Sequence, residues 1–152
     1  RDVETRMDVH VNAYLPAEYV TGDRQRLEVY KRIASITTAA QRDDVEEELV
    51  DRFGDEPLCV ANLVAVAYLK AMCEKLGIDR VNQADGRIDM RFALNAQVDG
   101  QKLFTALNGF DKRLTPPVTL TLRDQTLNRE DLLMLCVKVM ERLLVRMELS
   151  AA

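Results

Sequence analysis

The chain has no tryptophan, a single histidine, and aromatic residues at only 5% of its length. A core must therefore come from Leu, Val, Ile, Met and Ala. His10 alone excludes a histidine-rich zinc site and offers no second imidazole for acid–base chemistry. It falls on the polar side of an alternating stretch and reads as a surface histidine. The three cysteines, Cys59, Cys73 and Cys136, are far apart, and no two form a CxxC pair. That pattern fits reduced thiols better than a disulfide framework. A zinc site drawn from these cysteines and His10 would need them to meet in space, and their spacing does not ask for it. No apolar run approaches the roughly 18 residues of a membrane span, and no signal peptide is visible. Lys and Arg form no run. The net charge of −4 and a pI near 5.1 argue against nucleic acid or an anionic membrane as the main partner. There is no Walker phosphate loop, no GxGxxG and no serine-centred nucleophile elbow. The acidic run near residue 50 lacks the alternating ligands and central glycine of a calcium loop. No carboxylate pair stands out for glycoside hydrolysis. The residues thus name no catalytic, cofactor-binding or metal-ligating site. A small enzyme would need a deep pocket or metal where His10, cysteines or carboxylates converge.

What is present reads as one α+β domain. At 152 residues, 47% hydrophobic and 30% charged, the chain can bury a sizeable core. It begins with Arg, which suggests a piece of a longer protein. Residues 1–7 are polar and expected to be a flexible lead-in. From Asp8 to Leu15, Val9, Val11, Ala13 and Leu15 alternate with polar residues, which predicts a half-buried strand ended by Pro16. Asp23 is placed to cap a helix with Leu27, Tyr30, Ile33 and Ala34 inward. Arg24, Arg26, Lys31 and Arg32 lie outward and read as a solvated face.

The most specific stretch is DDVEEELVDRFGDEP, Asp43 to Pro57. Asp43 and Asp44 sit where an N-cap is wanted, with Glu46 and Glu47 at the capping-box position, and acidic residues suit a first turn. Val45, Leu49 and Phe53 form an apolar stripe, and Gly54 supplies a helix stop. At about 100° per residue, Asp44, Glu48 and Asp51 form a second, outward stripe with only Arg52 near it. A solvated acidic face is the ordinary reading of such a stripe. A docking edge for a basic surface is the functional one.

Pro57 opens a third helix that is apolar on most sides and runs to Leu76, with Gly77 as its stop. Cys59 and Cys73 lie on it as packing residues. Two strands follow, Ile78 to Ala84 and Arg87 to Leu94, joined by the Asp85-Gly86 turn. A short helix begins after Asp99, with Leu103, Phe104 and Leu107 on one side. A polar loop with Pro116-Pro117 leads into a strand through Val118, Leu120 and Leu122. Asn128 caps a last helix with an inner face of Leu132, Leu135, Cys136, Val139, Leu143 and Met147. The expected architecture is a small, mainly antiparallel sheet packed with about five helices in a single domain.

The blocks NAYLPAEYV, QRLEVYKRIAS, ELVDRFGDEPLCVANLVAVAYLK and KLGI, in this order and spacing, cover about Asp8 to Ile78. Together they resemble the C-terminal domain of the bacterial transcription-repair coupling factor. The second half is similar in its succession of elements. Asp55 and Glu56 depart from the more usual apolar or proline-containing turn after DRFG.

The resemblance implies that residues 8–152 are the C-terminal regulatory domain of a larger cytoplasmic protein, an ATP-dependent DNA translocase acting in transcription-coupled nucleotide excision repair. ATP and Mg²⁺ would serve motor domains elsewhere in the parent, and this domain would be no enzyme itself. It implies an autoinhibitory role. The domain would dock on the parent's N-terminal excinuclease-B-like module and mask its excinuclease-A-binding surface. RNA polymerase would be an indirect partner, and neither nucleic acid nor membrane a direct one. The family's acidic contact positions fall here on Glu48 and Asp51, with Asp44 on the same stripe. The alternative is a free-standing protein-interaction adaptor without catalytic activity.

Overall fold

The structure, a computed structural model, describes residues 3–115 and 118–147. Among the described residues, five helices and a five-stranded mixed sheet make an α+β fold. The chain divides into two compact units, one of residues 1–10 and 72–152, the other of Val11–Ala71. The second unit occupies the chain between the first strand and the rest of the sheet.

The first unit holds the sheet. Strands β1 (Arg6–Asp8), β2 (Ile78–Ala84), β3 (Arg87–Phe92), β4 (Lys112–Thr115) and β5 (Thr119–Arg123) lie in the order β1-β2-β3-β5-β4. Only the β1–β2 pairing is parallel; the other three are antiparallel. Helices α4 (Gly100–Ala106) and α5 (Arg129–Arg146) complete it, with α5 packed on β3. The alternation in β3 and β5 sends Ile88, Met90, Leu120 and Leu122 to one face, where all are fully buried. They meet the inner face of α5, where Leu132, Cys136, Val139 and Leu143 are equally buried. Cys136 Sγ lies 3.4 Å from Met90 Sδ. Each large aliphatic side chain so buried contributes about 1.5–3 kcal/mol. Asn128 caps α5 as expected, its side chain accepting from the Asp131 amide at 2.8 Å. Leu135 and Met147, expected fully inward, are half-buried. Phe104, expected inward on α4, is 47% exposed, with Lys112 Nζ 4.2 Å from its ring centre.

Three expectations are corrected in this unit. The strand expected from Asp8 to Leu15 is β1, Arg6–Asp8, and residues 9–15 have no regular structure. Thr5 explains the early start: it is 1% exposed, and its hydroxyl donates to the Ile78 carbonyl while its amide donates to Glu74. Of the lead-in at residues 1–7, Arg1 and Asp2 lie outside the described residues. The strand from Arg87 ends at Phe92, two residues before Leu94, which is 92% exposed. The polar loop before Pro116-Pro117 contains edge strand β4; the two prolines lie outside the described residues. A four-residue edge strand is held by ladder hydrogen bonds rather than burial, so Lys-Arg-Leu-Thr shows no apolar alternation.

The second unit contains α1 (Asp23–Ala34), α2 (Ala39–Phe53) and the start of α3 (Leu58–Leu76), which continues into the first unit. The inner line of α1 is Val29 and Ile33; Ile33 is inward as expected, whereas Leu27, Tyr30 and Ala34 are exposed. Leu27 is 55% exposed, while Tyr30 sits at the border and its hydroxyl accepts from the Leu15 amide. Both phases satisfy a helical period, and the line that continues into buried Ile36 is the one used. Asn62 of α3 is buried and donates to the Asn12 carbonyl at 2.9 Å. Gly77 follows α3 at φ +82°, and a Cβ there would stand 2.9 Å from that of Ala96. Both backbone and space therefore require glycine at this stop.

Candidate functional site

Helix α2 carries the residues that the sequence singled out. It begins a full turn before the expected Asp43, at Ala39, with Thr38 as its N-cap. The Thr38 hydroxyl accepts from the Gln41 amide at 3.1 Å, and Gln41 reaches back to accept from the Thr37 amide and hydroxyl. This is a variant of the capping box: Thr38 caps the Gln41 amide, and Gln41 reaches back one residue beyond the N-cap, to Thr37. The acidic residues thus fall in the second turn and beyond, where they do not cap the helix.

The inner stripe is as the spacing predicts. Val45 and Leu49 are 1% and 3% exposed, and half-buried Phe53 packs against Tyr19 with ring centres 5.7 Å apart and planes tilted by 55°. The Tyr19 hydroxyl donates to the Gly54 carbonyl at 2.8 Å. Gly54 itself ends the helix at φ +90°. These contacts fix the rotation of α2 and hence the direction of its outer edge.

On that edge Asp44 and Asp51 are exposed and make no ion pair or side-chain hydrogen bond among the described residues. They lie two turns apart, about 10 Å along the axis. Glu48 stands between them but is differently placed. Its carboxylate takes Arg32 of α1 at 3.2 Å and Arg52 at 3.0 Å. The expectation that only Arg52 neighbours this stripe is corrected, as is the reading of Arg32 as a merely solvated residue. Packing of α1 on α2 brings the Arg32 guanidinium across, a proximity that residues 16 positions apart cannot reveal by spacing. Below this triad a cleft of about 140 Å³ lies between α1 and α2. Val29, Val45 and Leu49 make its apolar floor, and Glu28, Arg32, Glu48 and Arg52 its charged rim.

A second acidic feature was not foreseen as a site. Glu46, on α2, and Glu56, in the turn after Gly54, bring their carboxyls together. Burial first, then the Glu46 charge and a hydrogen bond to it, push the Glu56 carboxyl up to about 7. One Glu56 oxygen is buried without a partner among the described residues. Burial, with the charges of Glu56 and Asp55, also raises the Tyr19 phenol. The unusual Asp55-Glu56 turn was the only sequence sign of this pair. Its partner ten residues earlier shows only once the chain has turned at Gly54.

His10 is exposed, and its amide donates to Gln83 at 2.9 Å. Cys73 and Cys136 are buried in the first unit, while Cys59 is half-buried in the second. No group of three or more His, Cys, Asp or Glu side chains placed to hold a metal occurs among the described residues.

Comparison with known proteins follows the same outline. A family model described as the TRCF domain matches residues 9–103. The transcription-repair-coupling factor of Bacillus subtilis (strain 168) is 30% identical over 113 residues, covering 73% of this chain and 10% of that protein. The corresponding factor of Staphylococcus aureus (strain USA300) is 29% identical over 144 residues, covering 89% of this chain and 12% of that protein. The chain thus spans about a tenth of the length of the curated relatives it matches. A crystal structure of the C-terminal domain of a transcription-repair coupling factor superposes with a TM-score of 0.88 at 26% identity, covering 97% of this chain and 96% of that one. With the family model matching more than half of its length and that domain's fold reproduced, the chain belongs to the TRCF domain family.

Proposed function

We propose that this chain is the regulatory C-terminal domain of a cytoplasmic transcription-repair coupling translocase, without catalytic activity or cofactor of its own. ATP, Mg²⁺ and the motor belong to other parts of the parent. The domain docks on the N-terminal excinuclease-B-like module, covers its excinuclease-A-binding surface, and lets go when the parent engages stalled RNA polymerase on DNA.

The observation that carries this reading is the outer edge of α2. Asp44 and Asp51 project from a helix whose inner face and both ends are fixed, and neither carboxylate is neutralised within the described residues. Such an edge suits a basic partner surface. Its Glu48 centre is already held by two arginines, so a basic partner at this point competes with Arg32 and Arg52. Exposed ion pairs contribute only about 0.2–1 kcal/mol each, and interdomain surfaces are modest and polar. A latch of that strength opens when a competing partner supplies a few kcal/mol of differential binding.

Asp44→Lys/Asp51→Lys tests the edge without breaking the Glu48 triad. Binding of the variant domain to the separately expressed N-terminal module, measured by calorimetry, should weaken by about tenfold or more, with the thermal melt of the domain unchanged. Equal affinity in variant and parent would remove the residue assignment. Glu48→Lys is the less clean variant, because it sets three cations together and disturbs α1 against α2.

A further inference from the structure

The wet face of the sheet has a charge pattern that the reading of α2 does not use. Opposite the buried face, the pairing register sets residues in three rows. Arg6, Arg80, Arg91, Thr119 and Thr115 form the first. Asp8, Asn82, Asp89, Thr121 and Arg113 form the second. Ala84, Arg87 and Arg123 form the third. With Asp79, which pairs with Arg91 at 2.9 Å, six guanidiniums meet three carboxylates. The face therefore has a surplus of three positive charges on a chain of net charge −4.

The surplus is concentrated at one corner. Asp8 is bridged by Arg6 and Arg80 at the β1 side. Asp89 takes Arg87 at 3.3 Å and a hydrogen bond from Thr121 at 2.6 Å. Arg113 and Arg123 are exposed and make no ion pair or side-chain hydrogen bond among the described residues. They border a shallow concavity of about 270 Å³ with Arg87, its partner Asp89, and Thr115, Thr119 and Thr121. Side chains from three adjacent strands thus present cationic forks around the hydroxyls of Thr115 and Thr119, the Thr121 proton being held by Asp89, an arrangement matched to carboxylates.

We propose that this corner, on β3, β5 and β4, docks an acidic polypeptide segment whose carboxylates bridge Arg113 and Arg123. The choice of polypeptide over nucleic acid rests on two features. Aspartates are interleaved among the arginines. No aromatic side chain lies in the rows to stack a base. A mosaic of fixed Arg–Asp pairs leaving two free guanidiniums instead selects a discrete spacing of carboxylates.

The test is fluorescence anisotropy at low salt with a labelled Asp- and Glu-rich peptide, against a labelled duplex DNA. The peptide should bind the parent chain. Arg113→Glu/Arg123→Glu should weaken it by about tenfold or more, whereas the charge-matched Arg24→Glu/Lys31→Glu on α1 should leave it nearly unchanged. Amide NMR spectra check the fold, and Arg113→Gln/Arg123→Gln serves if the reversal variant is perturbed. Absence of peptide binding, or equal loss in both double variants, would overturn the proposal. So would DNA bound more tightly than the peptide, or a self-association of the chain abolished by the sheet variant.

Discussion

At the scale of single residues, the Glu46–Glu56 pair is the most informative. Two carboxyls in contact cannot both ionise freely, so the pair holds a proton near neutrality. In the native state Glu56 is protonated up to about pH 7, against an ordinary value of 4.5. Between those values the native state binds more protons than the unfolded chain, so stability falls as pH rises through this window. Solvent reaches the pair, which limits the effect to about 1 kcal/mol or less. Urea melts across this range should show the decline in the parent chain. In Glu56→Gln it should be largely lost, with a gain in stability above pH 7. An unchanged slope would mean that the pair is not coupled to folding. The cysteines supply a second prediction. Burial raises the Cys73 thiol well above its ordinary value and pushes Cys136 up to about 12, and only a thiolate is a competent nucleophile. Iodoacetamide at neutral pH should modify half-buried Cys59 first. Modification of Cys73 and Cys136 should track global unfolding, as read by mass spectrometry along a denaturant series.

At the scale of elements, α2 shows how a helix start is decided. Asp43-Asp44 followed by Glu46-Glu47 satisfies the same pattern as Thr38 followed by Gln41. The structure uses the earlier pair, because it adds a turn of hydrogen bonds before the buried Val45 and Leu49. Thr38→Ala should therefore cost about 1 kcal/mol of stability in chemical denaturation. Asp43→Ala, at an exposed position whose partner is its own neighbour Arg42, should stay within about 0.5 kcal/mol. The reverse ranking would restore Asp43 as the cap. The cap also bears on the site: it fixes α2 as a rigid fifteen-residue rod, on which Asp44, Glu48 and Asp51 keep their spacing.

At the scale of the whole molecule, charge is sorted between the two units more than the net −4 suggests. The acidic edge of α2 belongs to the unit of Val11–Ala71, and the arginine-rich sheet face to the other. Docking through the α2 edge should weaken steeply with salt, because its charges are exposed and screened over about 8 Å at physiological ionic strength. Titration of the domain with the N-terminal module at rising salt should show this. The dependence should flatten in Asp44→Lys/Asp51→Lys. A salt-independent affinity would indicate an apolar contact, for which the α1–α2 cleft over Val29, Val45 and Leu49 is the available surface.

Local signals in the sequence were enough to specify several elements. The Pro57 to Gly77 helix, the Asp85-Gly86 turn, the Asn128 cap and the core stripe of Val45 and Leu49 depend on residues within a turn or two of one another. So does the outward direction of Asp44 and Asp51. Tertiary structure alone decided the features that depend on distant residues. Thr5 extends the start of β1 through its bonds to Glu74 and Ile78. Strand β4 exists because β5 lies beside it. Arg32 reaches Glu48 only because α1 packs on α2. Glu56 meets Glu46 only after the turn at Gly54. Periodicity records which way a side chain faces, but the pairing of strands, charges and protons depends on what stands opposite.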